Sequence, residues 1–276
     1  MLNRESNHMN EKDIQLPLNS SGQGHLTIVE VDNMAAFGSI PDDSIELVYI
    51  DPPFNTGKKR THHGNTYEDS YDDYMGFLSP RLEKAYTKLT ANGSMFVHVD
   101  CRESHYVKVE LDRIFGRESF MNEIIWAYDY GARSKRKWSS KHDTIFWYAK
   151  DPKNYVFNYD EMDRIPYMAP GLVGKEKAAK GKTPTDVWWH TIVGTNSKEK
   201  TGYPTQKPVG LLRRIVTVHS TPGSTLCDFF AGSGSFGEVG ALLGRNVTLV
   251  DKNPQAVEVM VKRFQGQFSY DLKSVV

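Results

Sequence analysis

Apolar residues recur along the chain with two periods, one suited to strands and one to helices. Short runs rich in β-branched, aliphatic and aromatic residues predict strands that start near residues 26, 45, 94, 123, 144, 224 and 246. Between them the spacing lengthens. Phe77, Leu78, Leu82, Ala85, Tyr86 and Leu89 share one helical face and predict a core-packing helix over 74–89, stopped by Asn92-Gly93. Val107, Leu111, Ile114 and Phe115 predict a second helix over 103–115, with Gly116 at its end. A third follows Pro208 over 209–219, and Val257, Met260, Val261 and Phe264 mark a last one over 254–264. Strands alternating with helices predict an α/β domain with a largely parallel sheet.

Three stretches lack either period. Residues 1–24 are polar, rich in Asn and Ser, and read as a flexible arm. Residues 55–73 hold Gly57, Gly64, His62, His63, Tyr67 and Tyr71 without a repeat, which predicts a long loop beginning at the Asp51-Pro52-Pro53-Phe54 tetrapeptide. Residues 151–202 mix Tyr155, Phe157, Tyr159, Tyr167, Trp188 and Trp189 with lysines and glycines, and read as an insert. Aromatic and basic side chains together suit backbone contact and base stacking on nucleic acid.

Composition narrows the class. A chain of 276 residues with 39% hydrophobic content can bury a substantial core, so disorder is excluded. No apolar run approaches a membrane helix, and the N-terminus shows no signal pattern, so a cytoplasmic location is expected. Cys101 and Cys227 are too few and too far apart for a zinc or disulfide framework, and the adjacent His62 and His63 lack further ligands, so no metal is expected. Lysine plus arginine equals aspartate plus glutamate at 34 each, so only the distribution of charge is informative. Lys58, Lys59 and Arg60 follow the tetrapeptide, Arg133, Lys135, Arg136, Lys137 and Lys141 form an acid-free run, and Lys175, Lys177, Lys180 and Lys182 form a third. A basic run is ordinarily a solvated face, but three in loops around one pocket point to phosphate contacts.

The chemistry sits in two motifs. The aliphatic run 45–50 ends in Asp51-Pro52-Pro53-Phe54. Two prolines fix an extended path and remove two N–H donors, leaving the Asp51 carboxylate and the Pro52 carbonyl to accept from one amino group while Phe54 covers a flat ring. An Asp-Pro turn of no function is the plain alternative, and the tetrapeptide alone does not choose between them. The second motif, Asp228-Phe229-Phe230-Ala231-Gly232-Ser233-Gly234, reads as strand, glycine turn and helix start, with backbone free to approach a ligand at a helix N-terminus. Asp251 ends the next strand about 20 residues on, where nucleotide-binding folds place an acid on the ribose.

Together the motifs resemble those of the amino-methylating DNA methyltransferases, whose catalytic motif is Asp/Asn/Ser-Pro-Pro-Tyr/Phe and whose cofactor motif is Phe-x-Gly-x-Gly, matched by Asp51–Phe54 and Phe230–Gly234. The catalytic motif comes first, as in the permuted β group of the family, and the resemblance spans 25–276. It implies a Rossmann-like seven-strand methyltransferase sheet, mostly parallel with one antiparallel strand, and an inserted recognition region. It divides the chain into a catalytic half at 25–150, a target-recognition insert at 151–202 and a cofactor-binding half at 203–276.

The implied cofactor is S-adenosylmethionine. Its ligands would be Asp32 beside the adenine, Thr205 and Lys207 on the methionine carboxylate, Asp228, Phe230, Ala231, Gly232, Ser233 and Gly234 around the turn, and Asp251 on the ribose. Phe229 replaces a common proline and Asp251 a frequent glutamate, without loss of a polar group. Lys58, Lys59, Arg60, Arg133, Lys135, Arg136 and Lys137 would contact double-stranded DNA. The implied reaction is methyl transfer to adenine N6 of a flipped base, with cytosine N4 as the alternative; Asp at the first motif position is commoner in adenine enzymes. A homodimer and a cognate restriction endonuclease are partners the family allows. A dinucleotide oxidoreductase would leave Asp51–Phe54 idle, and a binding module that had lost catalysis would not need Asp51 and both glycines.

Overall fold

The computed structural model describes residues 23–62 and 65–274. In chain order the first half runs β1 (Leu26–Glu30), α1 (Asn33–Ala36), β2 (Ile45–Ile50), β3 (Lys58–His62), β4 (Asn65–Asp69), α2 (Tyr74–Lys88), β5 (Leu89–Val99), α3 (Ser104–Phe115), β6 (Phe120–Ala127) and β7 (His142–Ala149). The second half adds α4 (Lys175–Lys180), β8 (Val187–Trp189), α5 (Val209–His219), β9 (Thr225–Asp228), α6 (Ser235–Leu242), β10 (Asn246–Asp251), α7 (Pro254–Phe264) and β11 (Tyr270–Ser274). Nine of these strands form one sheet in the order β11-β1-β10-β9-β2-β5-β7-β6-β8, and β3 and β4 form a separate hairpin. Strand β7 runs antiparallel to both its neighbours, and the other pairings within the sheet are parallel.

Both faces of the sheet are covered, which is why its central strands read as continuous apolar runs. Along β2, Leu47 and Tyr49 point into a core built with Leu212, Ile215, Phe236 and Met260 of α5, α6 and α7. Val48 and Ile50 point the other way, into a core with Leu78 and Leu82 of α2 and Val107 and Leu111 of α3. One strand thus joins two cores by its period of two. Local signals fix the helix starts: the Asp73 side chain accepts from Gly76 N at 2.8 Å at the head of α2, and Asn253 with Pro254 opens α7.

Three expectations need correction. The described residues hold nine strands in the main sheet, not seven. The two extra strands, β8 and β11, are edge strands; β8 has three residues and β11 is mostly exposed, so neither carries an apolar period. The loop expected at 55–73 contains the hairpin, in which Lys58–His62 pairs with Asn65–Asp69. Antiparallel backbone pairing between the two segments defines it, and the apolar spacing of the sequence does not signal such pairing. Finally, Asn92-Gly93 is not a helix stop: α2 ends at Lys88 and the pair lies inside β5. A side chain on Gly93 would come within 3.0 Å of the Ile45 carbonyl, at the irregularity where β2 and β5 shift register. All but the last two residues of the proposed arm at 1–24 lie outside the described residues.

Candidate functional site

Strands β1, β10, β9 and β2 end on one edge of the sheet, and each delivers a carboxylate there. Asp32 lies two residues past β1, Asp251 closes β10, Asp228 closes β9 and Asp51 follows β2. Open parallel sheets bind ligands at this edge, where successive crossovers diverge. A crevice of about 550 Å³ occupies it, within the size range of cofactor sites. Asp32, Asp51, Pro52, Pro53, Phe54, Thr205, Lys207, Phe230 and Asp251 line the crevice. A small adjoining pocket is lined by Asp51, Asp228, Ala231 and Ser233. Every residue proposed for catalysis or cofactor binding, Gly232 and Gly234 aside, therefore lines the crevice or the small pocket that shares its Asp51 and Lys207 walls.

Asp51 is held from one side only. Its Oδ2 accepts a hydrogen bond from Lys207 Nζ at 2.5 Å, and both side chains are largely buried, 17% and 8% exposed. Its Oδ1 is buried with no hydrogen-bond partner among the described residues. An unsatisfied buried acceptor is costly and marks a place where a donor is missing. The Lys207 ammonium also lies 5.0 Å from the centre of the Phe54 ring. Lys207, expected to meet a methionine carboxylate, thus stands against the tetrapeptide.

The glycine turn folds as expected, with a division of labour the sequence does not reveal. Gly232 has φ +51° and Gly234 φ +74°, both in the left-handed region. A side chain on Gly234 would strike Phe264 and Met260 of α7 at 2.7 and 2.8 Å, so this glycine serves packing. On Gly232 it would meet the Tyr203 ring at 3.2 Å, in the wall of the crevice. Asp251 secures the turn: its Oδ2 accepts from Gly232 N at 2.8 Å and its Oδ1 from Asn253 N at 2.9 Å. Asp228 Oδ1 accepts from Phe230 N at 2.9 Å.

Burial raises proton affinity at this edge. Burial pushes the Asp228 carboxyl well above its usual range; the Phe230 N–H opposes this, and the charges of Asp51 and Asp251 add to it. Burial also raises Asp251, with the N–H groups of Asn253 and Gly232 opposing. Tyr203 is raised by burial and by the charge of Asp251.

At the β1 end, the side chain of Arg81 on α2 donates from Nε to Asn33 Oδ1 at 2.7 Å and reaches Asp32 Oδ1 at 3.3 Å. Its guanidinium stacks 4.1 Å from the Phe77 ring centre. Arg81, Asn33, Tyr203 and Asn253 line the crevice without having been singled out from sequence. Their motif neighbours Asp32, Thr205 and Asp251 were the only pointer to them.

Beside Phe54 lies a buried polar chain. Tyr49 Oη and His98 Nδ1 are 2.8 Å apart, His98 Nε2 lies 3.2 Å from Asp143 Oδ2, and Tyr128 Oη donates to Asp143 Oδ1 at 2.9 Å. Burial alone would raise Asp143, but the His98 hydrogen bond and charge and the Lys207 charge outweigh it and leave the carboxyl lowered. The His98 and Phe54 ring centres are 5.8 Å apart, so this chain packs against the Phe54 ring.

The basic residues are split between two places. Lys58, Lys59 and Arg60 belong to β3, which leaves the tetrapeptide through Asn55, Thr56 and Gly57. Asp69 anchors that root by accepting from Asn55 N at 2.8 Å and Thr56 Oγ1 at 2.6 Å. Arg133, Lys135, Arg136 and Lys137 are exposed in the β6–β7 loop, where Arg133 pairs with Asp129. That loop leaves the sheet on the Asp51 side, since β7 starts opposite the end of β5.

The largely parallel sheet with a carboxylate-lined crevice at its strand ends defines an α/β ligand-binding fold. A family model described as DNA methylase, for the N6/N4 methylases, matches residues 45–262. The chain belongs to that family and is a DNA methyltransferase. It is similar to the type II methyltransferase M.HpaI of Haemophilus parainfluenzae, 29% identical over 85% of this chain and 72% of the relative. It also resembles the DNA adenine methyltransferase YhdJ of Escherichia coli strain K12, 26% identical over 90% and 86%. Among solved structures, the cytosine-N4-specific PvuII DNA methyltransferase shares the fold at a TM-score of 0.68, with 16% identity over 90% of both chains.

Proposed function

We propose that the chain is a permuted, β-group DNA methyltransferase that methylates adenine at N6 in duplex DNA. The observation that carries the chemistry is Asp51 Oδ1, a buried acceptor without a donor among the described residues, on a side chain that lines the crevice. The cofactor is S-adenosylmethionine, which supplies a methyl group on a positively charged sulfur. Asp251 and the Gly232 backbone would hold its ribose side, Asp32 its adenine side, and Lys207 and Thr205 its methionine side. Thr205 adopts φ +65°, an uncommon conformation for a residue with a side chain, kept at the crevice wall.

The chain's own groups do the rest. An exocyclic amine donates to Asp51 Oδ1 and to the Pro52 carbonyl, which draws its nitrogen towards tetrahedral geometry and stabilises the positive charge that develops on it. Lys207 fixes the opposite carboxylate oxygen and so orients the free one. Phe54, packed against His98, stacks on the extruded base in place of its lost neighbours. Holding amine and methyl in line removes most of the remaining entropic barrier.

Order of motifs supports the β-group assignment, because Asp51 precedes Gly232 in the chain. The base assignment rests on Asp at the first motif position and on the adenine activity named for the Escherichia coli relative. The shared fold of the cytosine-N4 enzyme keeps cytosine as the second reading. Digestion of methylated DNA to nucleosides separates them: N6-methyladenine is expected, and N4-methylcytosine alone would refute the base assignment. The segment 151–202 is the proposed recognition region, and the type II relative makes a cognate endonuclease a reasonable partner to look for.

A further inference from the structure

Trp138 is 98% exposed, an extreme for the largest apolar side chain. A single exposed aromatic is ordinary on a protein surface. Here three further observations give it a partner. First, its loop is shaped from within: Ser134 N donates to Ser139 Oγ at 2.7 Å, and Ser134 Oγ accepts from Arg136 N at 3.1 Å and Lys137 N at 3.3 Å. Lys141 Nζ donates to the carbonyls of Ala132, at 3.0 Å, and Tyr130. The indole is therefore presented, rather than trailing from a loose segment.

Second, the residues beside it are cationic and exposed: Arg133, Lys135, Arg136 and Lys137. Such a surface repels basic and favours polyanionic partners, and an aromatic ring among cations suits unstacked bases held by their phosphates. Third, the loop rises from the catalytic edge. Its ends pair as Ala127 with His142, Val99 pairs with Thr144 beside them, and Val97 pairs with Ile50, the residue before Asp51. At its root, Tyr128 and Asp143 join the buried chain through His98 that packs against Phe54. Loop and base plate thus share one rigid footing.

We infer that Trp138 enters the duplex at the target site and fills the gap left in the stack when the base turns out into the crevice, acting as a positioning residue for base extrusion. The inference rests on the DNA-methyltransferase reading. The ring would stack on the bases flanking the gap while the neighbouring cations hold the phosphates on either side.

The test first maps the methylated site by modification-sensitive sequencing of DNA from expressing cells, then builds two duplexes on it, one with a paired target base and one with a mispaired target. On the paired duplex, Trp138→Ala is expected to lose roughly 5- to 150-fold in kcat/KM, the range of one lost base–aromatic stack. The loss should shrink on the mispaired duplex, where extrusion costs less. Trp138→Phe should recover most of it, and S-adenosylmethionine affinity should be unchanged throughout. Equal activity of wild type and Trp138→Ala on the paired duplex, or an equal loss on both duplexes, overturns the role in extrusion. A wild-type protein that methylates no DNA overturns the function itself.

Discussion

Lys207 Nζ and Asp51 Oδ2 stand 2.5 Å apart, joining two segments separated by 156 residues. The pair fixes which carboxylate oxygen is engaged and leaves Oδ1 buried and free to accept. It also holds the tetrapeptide after β2 against the segment that leads into α5, closing one side of the crevice.

Replacing Asp51 by Asn keeps the shape but offers Lys207 and the target amine one neutral acceptor to share. Methyl transfer should fall about a hundredfold or more, in line with loss of one preorganised transition-state contact. S-adenosylmethionine affinity, measured by calorimetry, should change little. Unchanged turnover would remove Asp51 from the reaction.

Cofactor binding should fail at the other end of the crevice. Gly232→Val places a branched side chain at φ +51° and against Tyr203. Asp251→Ala leaves the Gly232 and Asn253 N–H groups without their acceptor. Each should weaken S-adenosylmethionine by roughly tenfold or more. Titration of the folded variants checks this, and wild-type affinity in either would displace the cofactor from the glycine turn.

The β6–β7 loop should act through charge on all DNA alike. Arg133, Lys135 and Arg136 replaced together by Ala should flatten the dependence of log affinity on log salt by up to about three units. The ion pair of Arg133 with Asp129 reduces its share. Binding isotherms over a salt series measure the slope; an unchanged slope would return the loop to a solvated surface.

His219 should make the fold sensitive to acid. Its ring is buried between Phe96 and Trp147, at 4.7 and 4.3 Å between centres. Burial lowers its pKa from 6.5 to about 3, with only a backbone hydrogen bond to Val156 opposing. The unfolded chain takes up a proton below 6.5 and the folded one does not, so the stabilisation is complete above 6.5 and is lost as pH falls towards 3. The slope is about 1.4 kcal/mol per pH unit, or about 2 kcal/mol between pH 7 and 5. Urea unfolding at the two pH values should show that difference reduced in His219→Leu; the same loss in both proteins would refute it.

What the sequence determined by itself was the chemistry and the central strands. Asp51-Pro52-Pro53-Phe54, the Gly232 turn and Asp251 are local motifs whose backbone demands are written in their own residue types, and β2, β5, β9 and β10 are buried on both faces and so carry long apolar runs. The antiparallel β7 was legible for the same reason. Only the tertiary structure decided the rest. Hairpin β3–β4 and the short or exposed edge strands β8 and β11 are defined by backbone pairing, which side-chain period does not signal. The partner of Lys207, the packing role of Gly234 against Phe264, and the entry of Arg81 into the crevice depend on contacts between segments far apart in the chain. No spacing along a sequence encodes which distant side chain will arrive opposite a given one; close packing of the two cores does.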